Sequence, residues 1–269
     1  MKRLFGAFML IVIFALPAVF GPPVALFLVV LVVLPMCLYE LYRVSIDREA
    51  WLLGWIGIAG SFPYLYTIYA GSFSAAFLTL LGTTLAMMAA SLLLFEKGRG
   101  NALQLSMAIA GLIYPLALTS FWILLRNGPD GRFWMLFGIV CTFGADTGAY
   151  YVGKNLGRRT LAPRLSPKKT VEGLAGGIGA SILGGVLLFL CYDRFLPLDS
   201  PRPLWFILAL SACISVLDLM GDLTASLYKR QFQVKDMGNL IPGHGGMLDR
   251  MDGVIPVGIF LYFALQAAF

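Results

Sequence analysis

The chain has 269 residues, of which 59% are hydrophobic and only 13% charged, with a mean hydropathy of +0.84 and a formal net charge of +6. One water-soluble core cannot hide that share of apolar side chains, so a soluble globular domain is excluded and an all-α, polytopic integral membrane protein is expected. The basic residues are neither gathered in one run nor interleaved with aromatics, so the positive charge does not point to nucleic acid.

A span needs about 20 apolar residues, because the hydrocarbon is about 30 Å thick and a helix rises 1.5 Å per residue. About nine segments qualify: Leu4 to Phe20, Val24 to Leu38, Trp51 to Ala70, Phe73 to Phe95, Ala102 to Leu125, Phe133 to Val152, Leu174 to Tyr192, Leu204 to Leu223 and Val254 to Phe269. The second and last are short, and the third carries Pro63. The first follows Lys2 and Arg3 and ends near ALPA, which imitates a secretory signal; it reads as a retained helix because more apolar segments follow. Cys37, Cys141, Cys191 and Cys213 stand singly in apolar segments, without a CxxC pair, and read as small buried side chains.

Orientation follows from the basic residues. With nine spans, Arg126, Arg132, Arg194 and Arg202 fall on one side, and the other sixteen Lys and Arg residues fall on the side of the N-terminus. The N-terminus is therefore expected in the cytoplasm, with the chain integral to the cytoplasmic (inner) membrane. Two cytoplasmic connections are long, 153–173 and 224–253. Without internal repeats or a low-complexity tail, the chain reads as one membrane domain, 1–269. Its N-terminal helices, 1–72, are expected to carry no chemistry, and 133–269 forms the catalytic region.

Polar residues kept inside apolar helices mark function, because each is expensive there. In SVLDLMGDLTASLYKR, Asp218 and Asp222 are four apart and share a helix face that Ser226 continues. In IPGHGGMLDRMD, Ile241 to Asp252, Asp249 and Asp252 are three apart, so a helix beginning near Gly246 projects both to similar sides. With Asp222 they make an oxygen-rich set for a hard cation, Mg²⁺ before others. The glycines and the following helix N-terminus suit an anion. Lys229, Arg230, Lys235 and Arg250 bracket them with positive charge, a combination fitted to phosphoryl or nucleotidyl transfer.

Upstream, RLSPKKTVEG offers Lys168, Lys169 and Thr170 as a second phosphate-binding set, although a basic run beside a membrane reads equally as a topology anchor. Asp146, in ADTGAYYVG, is open to three readings: metal contact, ribose contact or partner of a lysine. His244, the one histidine, is either a general acid or base or a loop contact to phosphate or backbone. Gly173, Gly176, Gly177 and Ala180 fit close helix packing.

The run SLYKRQFQVKDMGNLIPGHGGMLDRMD, Ser226 to Asp252, resembles the signature of the phosphatidate cytidylyltransferases, or CDP-diacylglycerol synthases. It keeps Ser-x-x-Lys-Arg, four residues, Lys-Asp-x-Gly, then Pro-x-His-Gly-Gly-x-x-Asp-Arg-x-Asp. SPKKTVEG and DTGAYYVG look like the same family, so the resemblance runs from about Ala145 onward. Tyr228 departs from the apolar residue expected before Lys-Arg, and Asp218 lies outside the signature. The resemblance implies that CTP and phosphatidic acid react to give CDP-diacylglycerol and pyrophosphate, with Mg²⁺ as cofactor. It implies metal binding by Asp222, Asp249 and Asp252, and catalytic work by Asp222, Asp249, Lys229, Arg250 and His244. Substrate contacts fall to Lys168, Lys169, Thr170, Ser226, Arg230, Lys235 and Asp146. Membrane lipid is the expected surrounding, and a homodimer is compatible with the small-residue helix faces. Two alternatives stay open: a CTP-dependent polyprenol or phytol kinase, for which His244 becomes essential, and a cation-coupled transporter lined by Asp146, Asp218 and Asp222.

Overall fold

The computed structural model describes residues 20–195, 198–199, 202–239 and 245–267. The first expected span, except Phe20, therefore lies outside the described residues, as does His244. Each of the other eight apolar segments forms a helix. These are α1 (Pro23–Ser45), α2 (Trp51–Tyr69), α3 (Phe73–Glu96), α4 (Ala102–Gly111) continued through a π-helical stretch (Leu112–Ala117) into α5 (Leu118–Asn127), α6 (Gly131–Leu156), α7 (Val171–Phe195), α8 (Leu204–Gln231) and α10 (Val254–Ala267). A four-residue helix, α9 (Leu248–Met251), precedes the last.

Among the described residues six helices are long and apolar enough to cross a membrane: α1, α3, the continuous α4–α5, α6, residues Val171–Tyr192 of α7, and α8. Helix α10 has only 14 residues, and α2 is diluted by Pro63 and three glycines. Large apolar side chains such as Leu28, Trp55, Phe77, Phe143, Leu187 and Met220 point outward. An apolar exterior of that extent belongs in lipid, where helices satisfy their own backbone groups. The chain is a membrane protein. Cys37 and Cys141 are buried as expected, whereas Cys191 and Cys213 are exposed on this outer surface.

By the contacts of its backbone the chain divides into two compact units. The first comprises residues up to Leu124 together with Phe232–Arg250. Helix α1 opens with Pro23 at a position where its missing N–H is not needed. Tyr42, wholly buried, donates its hydroxyl to the Ala108 carbonyl at 2.8 Å. A Cβ at Gly57 or Gly111 would lie 2.6 Å from that hydroxyl, so both positions must be glycine for α1 to be approached this closely. The π-helical stretch contains Pro115, whose lack of an N–H removes a regular helical bond and makes the widened turn tolerable.

The second unit comprises Leu125–Gln231 and Met251–Phe269. Its most extensive packing is α6 on α7, built on small residues as the sequence led us to expect. A Cβ at Gly148 would lie 2.5 Å from both Ala180 Cβ and the Gly176 carbonyl oxygen. Ser181 ties α7 to α8 by donating to the Ser211 carbonyl at 2.7 Å.

Two differences from the expected loops bear on the site. Residues 153–173 are not irregular: α6 runs to Leu156, and an antiparallel hairpin follows, β1 (Thr160–Ala162) and β2 (Ser166–Thr170), pairing Thr160 with Thr170 and Ala162 with Ser166. Residues 224–231 remain helical, because LTASLYKRQ contains good helix formers and no breaker, and Lys229 and Arg230 in the last turn oppose the helix dipole favourably.

Candidate active site

In the second unit α8 supplies one wall. Ser215, Asp218, Leu219 and Asp222 fall on one face by helical spacing and line an open cavity of about 280 Å³. Asp146, Ala149 and Tyr150 of α6 line it too, with Ser166, Lys168, Lys169 and Thr170 of the hairpin, and Gly173 and Leu174 at the start of α7. Thr170 caps α7, its Oγ1 accepting the Gly173 N–H at 3.0 Å, which fixes β2 to the helix and carries the two lysines with it. The carboxylate of Glu172 holds the other end of the hairpin by accepting the amides of Arg158 and Arg159 at 3.0 and 3.1 Å.

The electrostatics of the cavity are those of a carboxylate cluster opposed by ammonium groups. Lys169 forms an ion pair with Asp222. Asp218, only 5% exposed, interacts with the charges of Asp146, Asp252 and Asp222, with Lys169 as the compensating one. The connection after α9 is pressed onto α8: the Asp252 carbonyl abuts Gly221, and Gly253 abuts Asp218 Oδ1, so a side chain on either glycine would collide. Asp252 Oδ1 accepts the Gly253 N–H at 2.9 Å. Ser226 continues the α8 stripe, with its hydroxyl 3.5 Å from Asp222 Oδ1. Arg230 donates through Nε to the Leu165 carbonyl at 3.3 Å, linking the end of α8 to the hairpin. Lys229 is half-buried in the same last turn.

The first unit contains the signature segment. Asp249 Oδ2 accepts the amides of Met237 at 2.8 Å and Gly246 at 3.0 Å. Gly245 has φ +82°, the left-handed region that favours glycine. Lys235 and Arg250 are exposed. The expectation that the amides at the start of the following helix serve a phosphate is corrected here. Those of Met247 and Leu248 donate to Glu40, at 2.9 and 2.8 Å, so the protein's own carboxylates occupy that helix end.

The structure brings Asp146, Lys168, Lys169, Thr170, Asp218 and Asp222, each singled out in the sequence, to one cavity, and adds Ser215 and Tyr150 to its lining. Asp249 belongs to the other unit from Asp222 and Asp252. Among the described residues no three His, Cys, Asp or Glu side chains form a ready-made metal cluster. Glu40 was missed, although a carboxylate in the apolar run VVLPMCLYELY carried the same signal as Asp218.

The sequence pattern of the cytidylyltransferase family matches residues 1–268. The chain is 41% identical over 146 residues to a phosphatidate cytidylyltransferase of Bacillus subtilis (strain 168), a match covering 54% of this chain and 52% of the relative. To the protein of that name in Synechocystis it is 36% identical over 200 residues, 64% of this chain and 65% of the relative. To that of Brucella suis biovar 1 it is 38% identical over 154 residues, 57% and 54%. The matches thus span between 52% and 65% of the length of these relatives.

Proposed function

Because the chain belongs to the cytidylyltransferase family, we propose that it transfers the cytidylyl group of CTP to phosphatidic acid, releasing CDP-diacylglycerol and pyrophosphate. The observation that carries this reading is the cavity in which Asp146, Asp218 and Asp222 face Lys168 and Lys169. It offers acid for a metal and base for phosphates within one small space.

Phosphatidate is a phosphate monoester with a second pKa near 6, so at neutral pH its oxygen is already a nucleophile. That oxygen attacks the α-phosphorus of CTP, the bond from α-phosphorus to the bridging oxygen breaks, and pyrophosphate leaves with the electron pair. No proton need be moved, so the reaction asks the protein for charge neutralisation and in-line placement. Lys168 and Lys169 serve as phosphate ligands, and Thr170 fixes the strand that bears them. Ser226, Lys229, Arg230, Lys235 and Arg250 are proposed as further substrate or charge contacts, and His244 as a loop contact.

The donor set fits Mg²⁺, since it is all oxygen and the carboxylates around Asp218 outnumber the lysine that compensates them. Asp222 and Asp252, with Asp218 and Asp146 beside them, are the proposed holders, and Asp249 keeps a metal role as a separately tested proposal. When bound, Mg²⁺ supplies neutralisation of the triphosphate.

We also propose nine spans, a cytoplasmic N-terminus and residence in the inner membrane. The distribution of Lys and Arg supports this, and CTP is a cytosolic substrate. Homodimerisation is proposed from the small-residue faces alone, and the mass of the detergent-solubilised particle tests it.

The deciding experiment incubates purified protein with α-labelled CTP, phosphatidic acid and Mg²⁺. Label entering a CDP-lipid with release of pyrophosphate, and abolished by EDTA, is expected. Label entering lipid only from γ-labelled CTP with a polyprenol acceptor would replace this reading with the kinase.

A further inference from the structure

Glu40 sits in the apolar helix α1 and is 1% exposed. Both of its oxygens are engaged with the signature segment of the same unit: Oε1 accepts the Met247 N–H at 2.9 Å and Oε2 the Leu248 N–H at 2.8 Å. The preceding amide, Gly246, donates to Asp249 Oδ2, which also receives Met237. Three consecutive amides, those of residues 246–248, are therefore held by two carboxylates. Bonds of this kind, from amide to ionised acceptor, are short and strong, and a buried carboxylate that lost them would be left unsatisfied.

The glycines of the segment complete the arrangement. A Cβ at Gly238 or Gly246 would run into the Glu40 carboxylate. Gly238 ends Lys-Asp-x-Gly and Gly246 ends His-Gly-Gly, so two fixed positions of the signature make room for a residue far outside it.

We infer that Glu40 is a positioning residue for the transfer reaction: it takes the amides of Met247 and Leu248 and thereby leaves Asp249 to Gly246 and Met237, fixing where the Asp249 carboxylate lies. This rests on the cytidylyl transfer proposed above. Without Glu40, the Met247 and Leu248 donors at the start of α9 are left to compete for Asp249, two and one residues along the chain. Asp249 then becomes a helix cap instead of a group presented to ligands.

The test uses the full-length protein in detergent, with Glu40→Gln, which keeps the shape and removes the charge, and Gly238→Ala, which keeps Glu40 and displaces its carboxylate. Hydrogen exchange over residues 245–250 is measured alongside kcat, KM for CTP and the Mg²⁺ midpoint. For Glu40→Gln the Met247 and Leu248 amides should exchange at least tenfold faster while those of α2 and α3 keep their protection. The kcat should fall at least tenfold and the Mg²⁺ midpoint rise at least threefold, with KM for CTP within about twofold. Gly238→Ala should move the same quantities in the same direction, and it decides the matter if Glu40→Gln does not fold. Wild-type exchange in the variant, or faster exchange with kcat within twofold of wild type, overturns the role of Glu40 and leaves the transfer reaction standing. Absence of transfer by the wild-type protein removes the reaction itself and the positioning role with it, while the exchange data still report who holds the loop.

Discussion

Lys169 and Asp222, both lining the cavity of the second unit, form an ion pair that joins hairpin to helix at side-chain exposures of 24% and 33%. A pair this accessible contributes at most about 1 kcal/mol to stability, so its placement matters more for chemistry than for folding.

Lys169→Ala should therefore leave the thermal midpoint within a few degrees of wild type while lowering cytidylyl transfer by at least about 100-fold, roughly 2.7 kcal/mol of transition-state stabilisation. Lys169→Arg should recover part of the loss. Parallel thermal unfolding and steady-state assays separate the two effects.

Asp218 is buried among like charges, and that crowding favours a bound cation. Mg²⁺ should raise the thermal midpoint of the wild-type protein, and EDTA should reverse the rise; at 100 times the dissociation constant the gain is about 2.7 kcal/mol. Asp218→Asn replaces the buried carboxyl with a neutral amide of the same size. It should match or exceed wild-type stability in EDTA, yet gain less from Mg²⁺. A differential scanning titration in both buffers checks this, and an undiminished Mg²⁺ response in the variant would remove Asp218 from the set.

Asp249→Asn keeps the size of the side chain and loses its charge. Turnover should drop by about 100-fold or more, equivalent to roughly 2.7 kcal/mol, with a rise in the Mg²⁺ needed for half-maximal rate. Near-normal turnover and metal dependence would exclude Asp249 from metal binding.

Gly148 tests the packing that carries Asp146. A leucine there has no room against Ala180 and the backbone of Gly176, and overpacking of this kind costs about 1–3 kcal/mol or more. Gly148→Leu should lower the thermal midpoint and activity together, in contrast to Lys169→Ala.

Much of this was legible in the sequence, for reasons that individual residues make plain. Apolar runs announced the helices, and spacing by four placed Asp218 and Asp222 on one face. KKT before a helix announced the lysines, whereas the cap emerged only in the structure, where Thr170 accepts the amide three residues on. The hairpin was not legible: its strands have three and five residues, and Pro163 and Pro167 lie among them, a composition that reads as loop. The end of α8 was legible in part: the face of Asp218 and Asp222 continued to Ser226, although the connection was expected from residue 224. Glu40 stood out as a carboxylate in an apolar run, but its contact with the signature segment was hidden for a deeper reason. Its partners are backbone amides, which every residue has, so no side-chain pattern near Met247 points to it.

That same contact orders events during synthesis. Glu40 precedes the amides it binds by 207 and 208 residues, so the ribosome delivers α1 to the bilayer long before the segment that completes it. Through most of translation the nascent first unit holds a carboxylate without these donors in apolar surroundings, and contacts of such separation form late. The signature segment is thus the closing piece of the N-terminal half, and a chain interrupted anywhere before Met247 leaves both halves unfinished.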